Sequence, residues 1–165
     1  MSEVEQSDIE AINRQLGRLP RGVVAVAHRC HCGQPSVVKT SPRLEDGTPF
    51  PTTYYLTCST LASRIGTLEA DGLMRELEAK LAEDEVLRAA YRSAHESYLQ
   101  DRYELEDVAE IHGISAGGMP DRVKCLHVLV AHSLAKGPGV NPLGDLVLQQ
   151  LGDWGQTRCG EGADS

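Results

Sequence analysis

Short apolar runs rich in β-branched residues and tyrosine mark the first third of the chain. Residues 22–28 read Gly-Val-Val-Ala-Val-Ala-His, which favours a buried strand because the run is too short for a helix. The turn residues Gly33 and Pro35 follow soon after it. Residues 36–40 and 52–57 are predicted to form two further short strands. The sequence therefore predicts a small sheet of about three strands.

Helical periodicity dominates the remainder of the chain. Ser7, with Glu10 three residues later, predicts a helix start near the amino terminus. Further helices are predicted after Ser59, across residues 73–107 with one break, and across residues 143–151. The many charged positions of the 73–107 region form a solvated face, which needs no functional explanation.

Residues 120–135 differ from these helices because they are apolar on nearly every side. Such a helix is usually central and buried. Pro120 suits the first turn of a helix, and Asp121 suits the positive end of its dipole. The predicted fold class is therefore α+β: a small sheet of about three strands, packed by five or six helices around a central apolar helix.

Length, net charge and composition limit the kind of protein that this chain can be. At 165 residues the chain is long enough for one domain, which we expect over residues 1–152, followed by a flexible polar tail over residues 153–165. The formal net charge of −8 argues against nucleic-acid binding. The amino terminus lacks the basic and apolar stretches of a signal peptide, and no apolar window reaches the roughly 18 residues of a membrane span. We therefore expect a cytoplasmic protein.

The five cysteines and six histidines are the candidates for metal binding or catalysis. In a reducing compartment, clustered cysteines indicate metal binding or catalysis rather than disulfides. No C-x-x-C pair is present, and Cys30-x-Cys32 is too tight for the common zinc knuckle. One ligand from each distant segment is a better arrangement, and it suits structural zinc or an iron–sulfur cluster. The predicted metal ligands are Cys30, Cys58, Cys125 and His132, with His127 and Cys32 as second choices.

Two other interpretations of the cysteines remain open. Cys58 and Cys125 can be small buried apolar residues, which unmodified cysteine commonly is. Alternatively, Cys58 is a weak candidate for a catalytic nucleophile, since it directly precedes a predicted helix start that favours a thiolate. A histidine from the central helix would then act as its base. Whether the protein is an enzyme is left open.

A second constellation predicts an anion site. Gly117 and Gly118 lead into a segment that carries Arg122 and Lys124. A glycine loop before a helix can hold a phosphate or carboxylate with its N–H groups, and Arg122 can add a paired contact. The loop lacks the full P-loop spacing, so an ordinary connector explains it equally well. The corresponding function is an enzyme or binding protein for a phosphorylated or otherwise anionic small molecule.

Several long segments resemble an uncharacterised, mainly actinobacterial family called domain of unknown function 501. The resemblance covers roughly residues 20–150. The segments that carry it are Arg29-Cys30-x-x-Gly33-x-Pro35, Pro49-Phe50-Pro51-Thr52, Tyr55-Leu56-Thr57-Cys58, Val123-Lys124-Cys125-Leu126-His127 with Ala131-His132, and Asn141-Pro142-Leu143-Gly144.

This resemblance implies little about activity, because the family has no established one. Its pattern includes Cys30, Cys58, Cys125, His127 and His132, but not Cys32 or Cys159, which points away from Cys30-x-Cys32 as an essential pair. Family genes often lie beside a septum-formation initiator and an exopolyphosphatase-like phosphatase. The resemblance therefore adds a third possibility, a metal-free adaptor with a protein partner in cell division or polyphosphate metabolism.

Overall fold

The three predicted strands form one antiparallel sheet in the order β1–β2–β3. The structure, a computed structural model, describes residues 1–18 and 21–154. The strands are β1 (Val23–Arg29), β2 (Pro35–Thr40) and β3 (Tyr54–Leu56). In the register, Val38 of β2 pairs with Val26 of β1 on one side and with Tyr55 of β3 on the other.

Helices make up most of the described chain. A 3-10 turn at Ala109–Ile111 lies between the fourth and fifth of them. The six α-helices of the described residues are α1 (Gln6–Leu16), α2 (Ser59–Ala70), α3 (Leu73–Glu83), α4 (Glu85–Leu105), α5 (Leu126–Lys136) and α6 (Pro142–Leu151). The predicted α+β class, with a small sheet and several helices, is confirmed.

Local sequence signals explain where several helices begin. The Asp84 carboxylate accepts the Leu87 N–H at 3.0 Å at the start of α4. The Asn141 side chain accepts the Gly144 N–H at 3.0 Å at the start of α6. Near the amino terminus, the Asp8 carboxylate accepts the Glu5 N–H, so α1 begins slightly earlier than the predicted Ser7 start.

The sheet separates two apolar regions, because successive side chains of a strand point to opposite faces. Val37 belongs to the main core, where it is buried with Leu126 and Leu129 of α5. Val38, the next residue, lines a cleft on the α1 side together with Ile12. Helix α5 therefore covers one face of the sheet, and α1 covers part of the other.

The central helix is shorter than predicted. It begins at Leu126 rather than at residue 120, and Cys125 is its extended N-cap. Before it, the Arg122 N–H donates to the Gly118 carbonyl and the Lys124 N–H donates to the Gly117 carbonyl, both at 2.8 Å. A Cβ at Gly118 would lie 2.7 Å from the Arg122 carbonyl oxygen, so this tight turn depends on glycine. The turn replaces the first helical turns that the apolar pattern suggested.

Two further predictions concern the limits of the chain. No helix within the described ranges is long and apolar enough to cross a membrane. Helix α6 ends at Leu151, close to the predicted domain boundary. Residues 155–165 of the predicted polar tail lie outside the described residues.

Candidate metal centre

Cys125 stands at the junction of the glycine turn and helix α5. Its backbone is extended (φ −153°, ψ 111°), and its side chain is partly buried. This N-cap position places the sulfur at the positive end of the helix dipole, which favours the thiolate. Cys58 is likewise the N-cap of α2, but at Cys125 two further polar side chains lie close to the sulfur.

Glu69 and His127 complete a cluster with Cys125. The Cys125 Sγ lies 3.9 Å from His127 Nδ1, and Glu69 Oε1 lies 3.4 Å from the same nitrogen. One potential ligand atom from each residue lies within 4.8 Å of the others. The cluster joins the carboxyl-terminal end of α2 to the amino-terminal end of α5.

The second oxygen of Glu69 has a separate role. Glu69 Oε2 accepts the N–H of Leu126, the first residue of α5, at 2.9 Å. This contact satisfies one of the unpaired N–H groups that every helix start presents. It also fixes the carboxylate so that Oε1 remains directed at His127.

A contact at Nε2 of the His127 ring determines which ring nitrogen can bind a metal ion. His127 Nε2 lies 3.0 Å from the Ala62 carbonyl oxygen, which can only accept a hydrogen bond. The proton of the neutral ring therefore sits on Nε2, and the lone pair of Nδ1 faces Cys125 and Glu69. Histidine ligands of metal ions are commonly oriented in this way by a carbonyl or carboxylate.

Contacts within the cluster also favour the charged forms of Cys125 and His127 when no ion is bound. Burial opposes the thiolate of Cys125, but the contact with His127 and a backbone N–H at Val128 outweigh it, so the pKa of Cys125 is lowered. The contact with Cys125 raises the pKa of His127 to about 9, supported by the Ala62 carbonyl and Glu69 against the effect of burial. A metal ion would therefore displace a proton from His127 when it binds.

The distances suit one tetrahedral ion. Zinc binds sulfur at about 2.3 Å and nitrogen or oxygen at about 2.0–2.2 Å, so a tetrahedral site separates sulfur from nitrogen by about 3.6 Å and nitrogen from oxygen by about 3.4 Å. The cluster shows 3.9 Å and 3.4 Å for these two separations. Two of the three separations are therefore close to those of a tetrahedral site, and the third, between the Cys125 sulfur and the Glu69 carboxylate, is within 4.8 Å.

The structure places the other predicted metal ligands in different surroundings. Cys30 and Cys32 are joined by a disulfide across the β1–β2 turn, where their Cα atoms lie 5.3 Å apart. This pairing differs from the expectation of thiols without cross-links, since the turn brings the two residues within disulfide range, and a ligand role for Cys30 or Cys32 stays a prediction. Cys58 lies at the predicted strand–helix junction, where its sulfur accepts the Leu61 N–H at 3.5 Å.

His132 is enclosed by aromatic rings. Its ring stacks on Tyr54 at 5.8 Å between centroids and meets Tyr98 edge to face at 5.0 Å. The Asn141 side-chain amide donates to His132 Nδ1 at 3.2 Å. Burial lowers the pKa of His132 to about 4. His132 is therefore a neutral core histidine whose Nε2 has no hydrogen-bond partner among the described residues, and a ligand role for it stays a prediction.

The cluster unites one predicted ligand, Cys125, with the second-choice His127 and with Glu69, which sequence reasoning missed. Within the described residues, this is the group of three potential ligands that lies within 4.8 Å. Glu69 stands near the carboxyl-terminal end of α2, where the helix dipole disfavours a carboxylate. That unfavourable position was the available signal, although other glutamates in the helices obscured it.

The predicted anion site already contains a carboxylate of the chain itself, that of Glu78. Arg122 Nε lies 3.3 Å from Glu78 Oε1, and the same oxygen accepts the Val123 N–H at 3.2 Å. Gly117 and Gly118 present carbonyl oxygens to the turn that follows them. An external anion at Gly117, Gly118, Arg122 and Lys124 would have to compete with these contacts, and this site stays a prediction.

The fold and this cluster define a small α+β protein whose Glu/Cys/His group is compatible with a metal ion. The chain belongs to the family described as "Protein of unknown function (DUF501)", whose family model matches residues 26–149. That match includes all three residues of the cluster and confirms the resemblance seen in the sequence. No curated protein and no solved structure matches the chain.

Proposed function

We propose that the protein binds one zinc ion through Glu69, Cys125 and His127. The observation that carries the proposal is the convergence of Cys125 Sγ and Glu69 Oε1 on His127 Nδ1, at 3.9 Å and 3.4 Å. A thiolate, an imidazole and a carboxylate are the three ligand types that zinc accepts in proteins.

The donor set favours zinc over an iron–sulfur cluster and over magnesium or calcium. An iron–sulfur cluster is held mainly by several cysteine thiolates, whereas this group supplies one. Magnesium and calcium prefer sites made of oxygen atoms, so a thiolate argues against both. The mixed set of sulfur, nitrogen and oxygen suits a borderline-soft ion such as zinc.

Three protein ligands leave one tetrahedral position for water or another ligand. Structural zinc sites usually have four protein ligands, whereas sites with an exchangeable position usually have three. The ion would also connect α2 to α5, because Glu69 lies in α2, whereas Cys125 and His127 lie at the start of α5. We therefore propose a centre that ties the two helices together and keeps one exchangeable position.

Metal analysis of the purified full-length protein tests the proposal. After saturation with zinc and removal of the excess, we expect about one zinc per chain, with a strong loss of affinity in Cys125→Ser and in His127→Gln. Cobalt in place of zinc should give a thiolate-to-metal charge-transfer band that Cys125→Ser abolishes.

Two variants provide controls from the predicted long-range set. Cys58→Ala and His132→Phe should keep the bound zinc, since neither residue belongs to the cluster. If these variants lose zinc while His127→Gln retains it, the long-range set that shares Cys125 with the cluster is the metal site and this proposal is wrong. Absence of stoichiometric zinc in the wild-type protein would also overturn it.

A further inference from the structure

A cleft lies on the face of the sheet opposite helix α5. Its free space amounts to about 480 Å³, including the part that is open to solvent. Ile12 and Val38 form its buried base, and Leu16, Val23 and Phe50 line it with partly exposed apolar side chains. The cleft therefore offers an accessible apolar surface that is separate from the candidate metal centre.

The mouth of this cleft is polar and positively charged. Arg18 and Arg21 lie at its edge together with Tyr55. Arg18 Nη2 donates to the Tyr55 hydroxyl oxygen at 3.2 Å, which leaves the hydroxyl hydrogen of Tyr55 able to donate elsewhere. A guanidinium and a hydroxyl thus present donors side by side above an apolar floor.

The two arginines differ in how their charge is balanced. Arg21 pairs with Asp46 at 2.7 Å. No carboxylate among residues 1–18 and 21–154 lies within ion-pair distance of Arg18. In a chain with a net charge of −8, an arginine without a carboxylate partner at the mouth of an apolar cleft is well placed to bind an anion.

We infer that this cleft binds an amphipathic carboxylate, with the carboxylate on Arg18 and Tyr55 and an alkyl chain against Leu16, Val23 and Phe50. Arginine recognises carboxylates through paired N–H donors, and burial of the alkyl chain supplies the apolar part of the affinity. The inference is independent of the proposed zinc site, because the two share no residue.

Isothermal titration calorimetry with octanoate tests this inference on the full-length protein. We expect saturable binding of one octanoate per chain, and at least tenfold weaker binding in Arg18→Gln. The matched control is Arg14→Gln, which removes an exposed arginine of α1 that does not line the cleft and should leave the affinity unchanged. Glu69→Gln should also leave it unchanged.

Two related ligands separate the contributions of head and chain. Octanol should bind wild type and Arg18→Gln equally, and acetate should show no saturable binding. Filling the cleft with Val38→Phe should abolish octanoate binding, and Val23→Phe, at a partly buried lining position, serves if Val38→Phe does not fold. The inference is wrong if octanoate does not bind saturably, if Arg18→Gln binds it like wild type, or if filling the cleft has no effect.

Discussion

Gly144 of α6 lies so close to Leu129 of α5 that no side chain fits between them. A Cβ at Gly144 would overlap the Leu129 carbonyl oxygen and the Ser133 hydroxyl. The two helices can approach to this distance only because glycine has no Cβ. This contact fixes α6 against α5, which also carries Cys125 and His127 at its start.

Substitution of this glycine should therefore destabilise the protein. We expect Gly144→Ala to lower the free energy of unfolding by about 2–3 kcal/mol, because the added methyl group must push two packed helices apart. Gly66 is a matched control, since it lies within α2 and a Cβ there would meet nothing within 4 Å. Gly66→Ala should raise the free energy of unfolding by about 0.5–1 kcal/mol.

Urea denaturation of the three proteins measures these changes. Opposite signs for the two glycine-to-alanine substitutions would confirm that the close helix contact, rather than helix propensity, decides the outcome at Gly144. A Gly144→Ala variant as stable as wild type would show that α5 and α6 can separate without cost.

Local sequence patterns predict some elements of this fold and miss others. The strands and the start of α6 follow from local patterns, namely valine-rich runs and Asn141-Pro142. The late start of α5 could not be predicted in this way, because the turn at Gly118 forms only when its backbone packs against Arg122. An apolar pattern cannot distinguish residues buried in a tight turn from residues buried in a helix.

The candidate metal centre was predictable only in part for a similar reason. Cys125 and His127 are close in sequence, but on an ideal helix residues two positions apart point about 200° apart and would not share an ion. That argument does not apply once Cys125 is the extended residue before the helix. Glu69 is 57 residues from the Leu126 N–H that it accepts, so only the folded chain reveals its place in the cluster.

Zinc should stabilise the folded protein through this cluster. A ligand that binds only the folded state at a free concentration about 100 times its Kd adds about 2.7 kcal/mol to the free energy of unfolding. We expect a corresponding rise in Tm for wild type. Glu69→Gln should show a much smaller rise, because the amide keeps an oxygen for the Leu126 N–H but lacks the carboxylate charge.

Thermal denaturation with and without zinc measures this effect, and magnesium serves as the control ion. Equal stabilisation of wild type and Glu69→Gln by zinc would place the ion elsewhere in the chain. Equal stabilisation by zinc and magnesium would contradict the role of the thiolate, since magnesium prefers oxygen ligands.

Arg102 supports the chain between α4 and the glycine turn. Its side chain is fully buried and donates to the carbonyl oxygens of Ile114, Pro51 at 2.6 Å, Ser115 at 3.0 Å and Ile111 at 3.3 Å. A lysine cannot reproduce this planar set of donors. Arg102→Lys should therefore lower the free energy of unfolding by about 3 kcal/mol, because several buried carbonyls lose their partner.

Arg92→Lys is the matched control for Arg102→Lys. Arg92 is exposed, and its Nη2 lies 3.4 Å from the Asp121 carboxylate. Arg92→Lys should change the free energy of unfolding by less than about 0.5 kcal/mol, as is usual for surface substitutions. Chemical denaturation that gave the same loss for both arginines would show that the fourfold carbonyl contact of Arg102 adds no particular stability.

His132 should make the stability of the fold depend on pH. Burial is the main cause that lowers its pKa to about 4, from the ordinary value of 6.5; Lys136 lowers it further, while Asp101 and Asp145 oppose the shift. Between these values the unfolded chain binds a proton that the folded chain does not, so the free energy of unfolding falls as the pH falls. The contribution is complete above about pH 6.5 and declines by about 3 kcal/mol as the pH approaches 4.

His132→Phe tests this dependence because phenylalanine can still pack between Tyr54 and Tyr98 but cannot bind a proton. Loss of the Asn141 hydrogen bond should reduce its stability at neutral pH by about 1 kcal/mol. Its free energy of unfolding should nevertheless decline less than that of wild type between pH 6.5 and 4. Parallel slopes for wild type and His132→Phe would mean that the buried imidazole is not the group that titrates.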